Sequence, residues 1–480
     1  MSLVKRIFAA LVLPLLIAAA LYSQEEGRYP LGAILDEEAY NALPRKATLA
    51  TRAYEDLPET FSLKQYAPQP GDQADYGTCV AWASAYGART ISESVALNRM
   101  NIVETTRNAF SPVYVYRRIR PDDPGCLQGA QISWALDLMR ESGAVKMLDA
   151  ERSTDFHLVQ VSSYNGSRKY PIADYVTLFS REEQGKPGLV TRLVKKSLVE
   201  GKPVIIGMNT PDSFWEARGI WRPRENPGVY YGGHAMCVVG YDDKKDGGAF
   251  EVLNSWGRKW GNAGFIWIPY QVFIDFVMES YELVENLAAY TDTVEFAGFA
   301  TLEILDGSRR VTAPLAAASP GFYQSAEVLG KGTQFSFTVG SSKSAYVYAF
   351  AASRSTDGDT DADAGDFYSP VLLFPQGGLS PLLNYSDSVI TLPGNNKTLM
   401  LDSEAGVEYL VVLYAKQTLN IRAIMRGFEN AQGGIEERLA QAVGKNLLTG
   451  VSYSEKDAAF SAETDNRRAI TALVLAIDHR

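Results

Sequence analysis

The pattern of apolar residues changes near residue 286, and this change most constrains how the chain can fold. Before it, residues 57–285 mix helix and strand signals and carry most of the tryptophans. After it come short alternating strands separated by Gly, Ser, Asn and Asp; examples are Gln334–Val339, Ala345–Phe350 and Tyr409–Tyr414. The first pattern predicts a mixed α and β domain at 57–285. The second predicts a mainly antiparallel β-sandwich at 296–480 after a linker at 286–295, with a late helix at Ile435–Leu448 and a last strand at Ala469–Ile477.

The composition fits two folded domains. The chain has 480 residues, of which 46% are hydrophobic and 21% charged, which is enough apolar material for real cores. Its three cysteines exclude a disulfide scaffold. A formal net charge of −10 argues against sequence-independent nucleic-acid binding, because phosphate affinity needs a cationic surface.

The N-terminus has the features of a targeting segment. Lys5 and Arg6 precede the uncharged apolar run Ile7–Leu21, and a small residue follows at a plausible cleavage site. This order predicts a secretory signal peptide at 1–23, and hence a secreted or periplasmic protein; an uncleaved membrane anchor is the alternative. Residues 24–56 are polar with little periodicity, and we interpret them as a lead-in arm.

A cysteine opens a predicted helix in the first domain. Thr78 is a suitable N-cap, and the apolar residues after Cys79 predict a buried helix running to about Leu97. Cys79 would then lie in the first turn, where the helix dipole lowers a thiol pKa. The alternative is an ordinary buried cysteine in a core helix.

A histidine lies on a predicted hairpin farther along the chain. The runs Gly232–Tyr241 and Ala249–Asn254 flank a polar turn centred near Lys244, and this register places His234 opposite Asn254. An amide oxygen there could hold the imidazole's tautomer. Cys237 would face the other side of the strand, as core packing rather than a second active thiol or a metal ligand.

A thiol at a helix start, a histidine and an orienting amide form the nucleophile–base–orienter set of a cysteine hydrolase. The other two histidines are weaker candidates for the base, because His157 lies in a polar stretch and His479 is next to the C-terminus. Over about residues 57–281 the chain resembles a papain-like cysteine peptidase, with its motifs in the family's order. The resemblance implies an α+β domain with a helical lobe and a β-barrel-like lobe.

The resemblance also assigns roles to residues. It implies Cys79 as nucleophile, His234 as base and Asn254 as the orienting residue. Gln73 would form the oxyanion hole with the Cys79 backbone N–H, where one donor is worth roughly 3–4 kcal/mol. Trp256, in the segment Asn254-Ser255-Trp256-Gly257, would shield the Asn–His hydrogen bond from water.

The same resemblance predicts where substrate binds. The segment Pro124–Gly129, followed by a helix at Ala130–Ser142, resembles the family's substrate-cleft segment. Gly129 would present its backbone groups to an extended peptide, as in β-strand addition, and Gln128 and Trp256 complete the predicted substrate-binding set.

Several features depart from the family pattern. Tyr76 replaces the first cysteine of the family's local signature, which leaves Cys126 unpaired, and Val80 replaces the aromatic residue after the nucleophile. The long spacing from Cys79 to His234 predicts an insertion, most plausibly within Ser153–Pro187. The arm is also shorter than the family's usual inhibitory prosegment, so either latency is absent or something else provides it.

The second domain carries no recognisable catalytic set. Residues 296–480 resemble an uncharacterised bacterial β-rich domain that follows catalytic domains, which implies a packing or cell-surface-binding module. Five aspartates crowd the loop Asp357–Asp366. A calcium site is conceivable there, but the EF-hand glycine and glutamate are missing, which favours a solvated acidic loop.

Together these features predict a secreted thiol peptidase that acts on peptides or proteins, with no cofactor, no metal and no nucleic-acid partner. Two alternatives stay open. One is a catalytically silent peptide-binding module, and the other is an amidase or transpeptidase acting on non-protein amides.

Overall fold

The computed structural model describes residues 28–47, 57–150, 156, 161–286, 293–307, 309–355, 370–384, 388–394, 397–401 and 405–480. The predicted signal peptide, His157 and the loop Asp357–Asp366 lie outside these residues, as do parts of the arm and of the stretch 153–187. Along the described chain, no helix is long and apolar enough to cross a membrane.

The first part of the chain alternates helices with one sheet. Its helices are α1 (Glu37–Ala42), α2 (Cys79–Ala81), which continues as a π-helical stretch (Trp82–Arg89) and α3 (Thr90–Ala96), α4 (Ile102–Arg107), α5 (Pro112–Ile119), α6 (Ile132–Glu141), α7 (Met147–Ala150), α8 (Arg181–Gln184), α9 (Pro187–Val199) and α10 (Tyr270–Phe276). Its strands are β1 (Thr60–Ser62), β2 (Asp174–Thr177), β3 (Val204–Asn209), β4 (Gly233–Asp242), β5 (Ala249–Leu253), β6 (Phe265–Pro269) and β7 (Val277–Val284).

Local chemistry explains where several of these helices begin. The side chains of Asp36, Asn101, Ser111 and Ser180 each accept a backbone N–H from the first turn of the helix that follows, as good N-caps do. Thr78 is the N-cap residue of α2, as predicted, but its side chain makes no capping hydrogen bond. The predicted helices at 79–97 and 130–142 are confirmed with shorter bounds.

The sheet of this part is antiparallel, in the order β2-β7-β3-β4-β5-β6, with β1 also paired to β4. The helix beginning at Cys79 packs against β4, and both share one hydrophobic core. The predicted hairpin forms, but its register is two residues off, since Cys237 pairs with Leu253 and Val238 with Val252. A bulge between Val238 and Gly240 shifts the register further, so the motif spacing alone could not have fixed it.

The second part of the chain is mainly β-structure. Its strands are β8 (Val294–Asp306), β9 (Arg309–Thr312), β10 (Leu315–Ser319), β11 (Phe322–Ser325), β12 (Gln334–Ser341), β13 (Ala345–Ser355), β14 (Val371–Phe374), β15 (Leu382–Leu383), β16 (Ser388–Leu392), β17 (Leu399–Met400), β18 (Gly406–Ala415), β19 (Ser452–Tyr453), β20 (Ala459–Thr464) and β21 (Ile470–His479). Two helices, α11 (Ile421–Asn430) and α12 (Ile435–Val443), separate β18 from β19.

These strands form two sheets that share a hydrophobic core. One runs β10-β11-β21-β18-β13-β14 with β15 on β13, and the other runs β16-β12-β8-β20-β19 with β17 on β12 and β9 on β8. Among the strands described here, every ladder is antiparallel except that of β11 with β21. The strands predicted within β12, β13, β18 and β21 are confirmed. The likeness to a bacterial accessory domain stays a prediction.

Candidate active site

The structure brings Cys79 and His234 to the same place. Cys79 is the first residue of α2 and is fully buried. Its Sγ accepts the backbone N–H of Ala235, the residue after His234, at 3.4 Å. A helix start and a strand 155 residues apart in sequence therefore meet at one buried point.

The hydrogen bonds of His234 determine which of its nitrogens is free. Its Nε2 lies 2.7 Å from Asn254 Oδ1, and the same oxygen accepts the Ser255 backbone N–H at 2.8 Å. Because that oxygen is an acceptor, Nε2 carries the proton and Nδ1 is the basic nitrogen of the neutral ring. Among the described residues Nδ1 has no hydrogen-bond partner. The imidazole is thus held in the tautomer that can take a proton at Nδ1.

Trp256 covers this pair. Its indole is fully buried, and its ring centroid lies 4.7 Å from that of His234. Phe214 and Trp260 pack against the indole at 5.5 Å and 5.3 Å, which completes an apolar wall behind the imidazole. This arrangement agrees with the shielding role that the resemblance implies.

Burial sets the charge of both groups in this state. It raises the pKa of Cys79 to about 11, although the backbone N–H groups of Ala235 and Gly32 oppose the shift. It also lowers the pKa of His234 to about 4, although the hydrogen bond that His234 donates to Asn254 opposes this shift. The pair described here is therefore a neutral thiol beside a neutral imidazole.

Gln73 is held so that its amide N–H₂ points into the site. Its Oε1 accepts Ser255 Oγ–H at 2.7 Å, and its Nε2 donates to the backbone oxygens of Tyr76 at 2.8 Å and Pro30 at 2.9 Å. Ser255 was missed as a functional residue. It lies inside the quoted asparagine motif, but only the fold shows that it orients Gln73.

The arm runs through the site as an extended peptide, and we call residues 29–36 the cleft segment. Gly32 O accepts the Ala130 N–H at 2.9 Å, Ile34 N–H donates to Ala130 O at 2.9 Å, and Ala33 N–H donates to Gly233 O at 3.0 Å. The backbone N–H of Gly32 is close enough to the Cys79 thiol to oppose the rise of its pKa. The cleft segment is thus bound by backbone groups of the loop before α6 and of β4.

Close packing makes a glycine necessary at the centre of the cleft segment. A Cβ on Gly32 would lie 2.0 Å from the backbone oxygen of Gly77, closer than real atoms approach. On one side of Gly32, Tyr29 stacks on Trp256 at 5.3 Å. On the other, Leu35 occupies the space that side chains at Gly207 and Gly233 would fill.

The predicted substrate residues are placed differently from the expectation. The N–H of Gly129 donates to the hydroxyl of Tyr116, and its carbonyl oxygen accepts a hydrogen bond from Arg120. Both backbone groups are therefore used within the domain. Its role in the structure is steric, because a Cβ there would lie 2.5 Å from Gly32 O, and Ala130 makes the backbone bonds instead. Gln128 is exposed and bonds Arg120, so its substrate contact stays a prediction.

The other two cysteines are free and buried. Cys237 lies on β4 and packs in the core against the π-helical stretch, as the core-packing interpretation predicts. Burial raises the pKa of its thiol. Cys126 is also free, and burial raises its pKa to about 11. Across the described ranges no cluster of three or more His, Cys, Asp or Glu side chains suits a metal ion.

Part of the chain is similar to known cysteine proteases. Residues 61–282, just under half of the chain, match the family described as papain family cysteine protease. An uncharacterized peptidase C1-like protein of Acanthamoeba polyphaga mimivirus is 27% identical over 252 residues, covering 49% of this chain and 71% of that protein. A probable cysteine protease of Arabidopsis thaliana is 20% identical over 215 residues, covering 42% of this chain and 49% of its own length.

Among solved structures, xylellain, a cysteine protease from Xylella fastidiosa, is similar with a TM-score of 0.42 and 20% identity. The alignment covers 54% of this chain and 98% of that one.

Proposed function

Because residues 61–282 carry a papain-family cysteine protease domain, we propose that this protein is a thiol peptidase whose nucleophile is Cys79, with His234 as base and Asn254 as the orienting residue. The observation that carries the proposal is a peptide bound at the predicted reaction centre. Gln73 Nε2 donates to the carbonyl oxygen of Pro30, and the backbone N–H of Gly32 is one of the groups that oppose the rise of the Cys79 pKa.

The chemistry follows from these positions. The thiol of Cys79 gives its proton to His234 Nδ1, and the thiolate attacks the substrate carbonyl carbon. The oxyanion that forms is met by Gln73 Nε2, and His234 then passes its proton to the leaving amine as the C–N bond breaks. Water, deprotonated by His234, hydrolyses the thioester and regenerates the thiol.

The described chain is in a resting state. Cys79 and His234 are fully buried with the cleft segment bound beside them, and this burial disfavours the ion pair that the reaction needs. Activity therefore requires the cleft segment to leave. The signal peptide predicted at 1–23 supports a further proposal, that the peptidase works outside the cytoplasm.

Covalent labelling with a thiol-directed epoxide tests the proposed nucleophile. In the full chain, Gly32→Leu cannot fit beside Gly77 and should displace the cleft segment. We expect the variant to be labelled at Cys79, located by peptide mapping, while the unsubstituted chain is labelled far more slowly.

Two control variants separate displacement of the cleft segment from reaction at the thiol. Ile34→Ala changes an exposed side chain of the same segment and should leave labelling slow. Cys79→Ala in the Gly32→Leu chain should abolish labelling. Failure of the folded Gly32→Leu chain to react would contradict a catalytic thiol and favour a peptide-binding module.

A further inference from the structure

The arm does not end at the cleft but continues between the two domains. After α1, residues 44–47, which we call the clamp segment, lie against β2 of the catalytic domain on one side. Thr177 N–H donates to Pro44 O at 3.1 Å and Lys46 N–H donates to Thr177 O at 2.8 Å. The clamp segment thus extends the edge of the catalytic sheet.

The C-terminal domain holds the other side of the same residues. Arg45 N–H donates to Gly378 O at 2.9 Å, and Ser380 N–H donates to Arg45 O at 2.7 Å. Ala47 is buried within the hydrophobic core that the two β-sheets share. The clamp segment is therefore an extended stretch fixed by backbone bonds from both domains at once.

A buried ion pair adds to this attachment. Lys46 Nζ lies 2.5 Å from Glu282 Oε2, and both side chains are almost completely buried. Asn384, from the C-terminal domain, donates its amide to Glu282 Oε1 at 2.7 Å. Arm, catalytic domain and C-terminal domain therefore meet at one carboxylate.

The clamp segment is rigidly connected to the cleft segment. Only α1 separates them, and Tyr40 on that helix is buried with its hydroxyl bonded to Phe179 O at 2.5 Å. Asp36, the N-cap of α1, also donates its backbone N–H to Glu279 at 3.1 Å. Residues 29–47 therefore form one continuous stretch that is bound along its length, with one short helix between the cleft segment and the clamp segment.

The geometry points to a role for the C-terminal domain in latency: it holds residues 44–47 against the catalytic domain and so keeps residues 29–36 over Cys79. This inference rests on the proposed function, because it concerns access to the proposed nucleophile. Whatever cuts the arm or separates the two domains at the clamp segment activates the enzyme.

The test is the rate at which a small alkylating agent, iodoacetamide, modifies Cys79 in the full chain. Lys46→Met removes the buried cation and should accelerate modification at least about tenfold, since breaking a buried pair has large effects. Lys244→Met is the matched control, because Lys244 pairs with Glu59 on the exposed surface and should leave the rate unchanged. Asn384→Ala, which cuts only the bond from the C-terminal domain, should act in the same direction.

A double variant shows whether the effect passes through the arm. In a Gly32→Leu chain, where the cleft segment is already displaced, Lys46→Met should add little. An equal acceleration in both backgrounds would overturn the inference, as would unchanged rates in both Lys46→Met and Asn384→Ala. If Lys46→Met fails to melt cooperatively, Asn384→Ala decides alone.

The proposed nucleophile and the role of the C-terminal domain are contradicted by different results. An unreactive Gly32→Leu chain refutes the proposed nucleophile. A reactive Gly32→Leu chain combined with unreactive clamp variants refutes only the role of the C-terminal domain.

Discussion

Two buried ionisable groups in this chain, the Glu282 carboxylate and the His234 imidazole, differ in how completely their hydrogen-bonding atoms are used. Both carboxylate oxygens of Glu282 are bound, by Lys46 and Ser197 on one and by Asn384 on the other. His234 Nδ1 is buried without a partner among the described residues. An unsatisfied buried group costs about 1–3 kcal/mol, so the open nitrogen of His234 weakens the fold and is available for the proposed reaction.

The difference separates a structural site from a reactive one. The bound carboxylate of Glu282 stabilises the fold, so its loss should be seen in unfolding experiments. Substitutions around His234 should be seen in chemistry, because its unpaired Nδ1 is the atom that would take the proton of Cys79 in the proposed reaction.

The largest effect on stability should come from Glu282→Gln. Burial alone would raise the pKa of this carboxyl, but the charges of Lys46 and Lys202 outweigh it and hold the pKa at about 2. Removing the charge leaves the buried Lys46 uncompensated and should lower the free energy of unfolding by about 3–5 kcal/mol, measured by denaturant titration.

The matched control for that variant is Glu59→Gln. Glu59 pairs with Lys244, and both side chains are largely exposed, so the loss should stay under about 1 kcal/mol. Because the folded pKa of Glu282 is depressed, its contribution is present above about pH 4.5 and is lost as the pH falls towards 2. Equal losses in the two variants would remove the contrast with the surface pair.

Gln73→Ala should act on catalysis instead. In the arm-displaced Gly32→Leu chain, it removes the amide that meets the oxyanion and should lower kcat by about 10²–10³-fold. Ser255→Ala leaves that amide in place but frees its orientation, so a smaller loss is expected. Steady-state rates on a peptide substrate measure both, and an unchanged kcat in Gln73→Ala would show that Gln73 is structural.

The smallest expected effect is a pH dependence at Glu279, beside the cleft segment. Burial raises the pKa of this carboxyl from 4.5 to about 7. The folded state therefore holds a proton that the unfolded state has lost, and stability should decline between about pH 4.5 and 7 by up to about 3 kcal/mol. Glu279→Gln should flatten this part of the melting profile; a profile with the same slope would place the titration elsewhere.

The four residues of the proposed reaction centre could be chosen from the sequence because their chemistry is local. Cys79 precedes a helical run, and Asn254 begins a distinctive motif; neither depends on distant packing. The His234–Asn254 contact forms even though the predicted register was wrong, because Asn254 lies just beyond the end of β5, where the bulged ladder no longer dictates its position.

The path of the arm could not be predicted in the same way. Residues 29–36 bind mainly through backbone N–H and C=O groups, which every sequence possesses, so side-chain patterns give no signal. Gly32 was one glycine among 40, and its importance depends on the position of Gly77 in space. The clamp likewise joins Lys46, Glu282 and Asn384 from distant parts of the chain, which only the fold brings together.

Release of peptide products by the Gly32→Leu chain decides whether Cys79 and His234 catalyse peptide hydrolysis. Incubated with a mixed peptide library at neutral pH, the displaced chain should generate new termini, detected by mass spectrometry. The unsubstituted chain and the Gly32→Leu/Cys79→Ala chain should generate none. Cleavage that survives in the Cys79→Ala chain, or a labelled Cys79 that releases no product, would contradict a peptidase acting through this thiol.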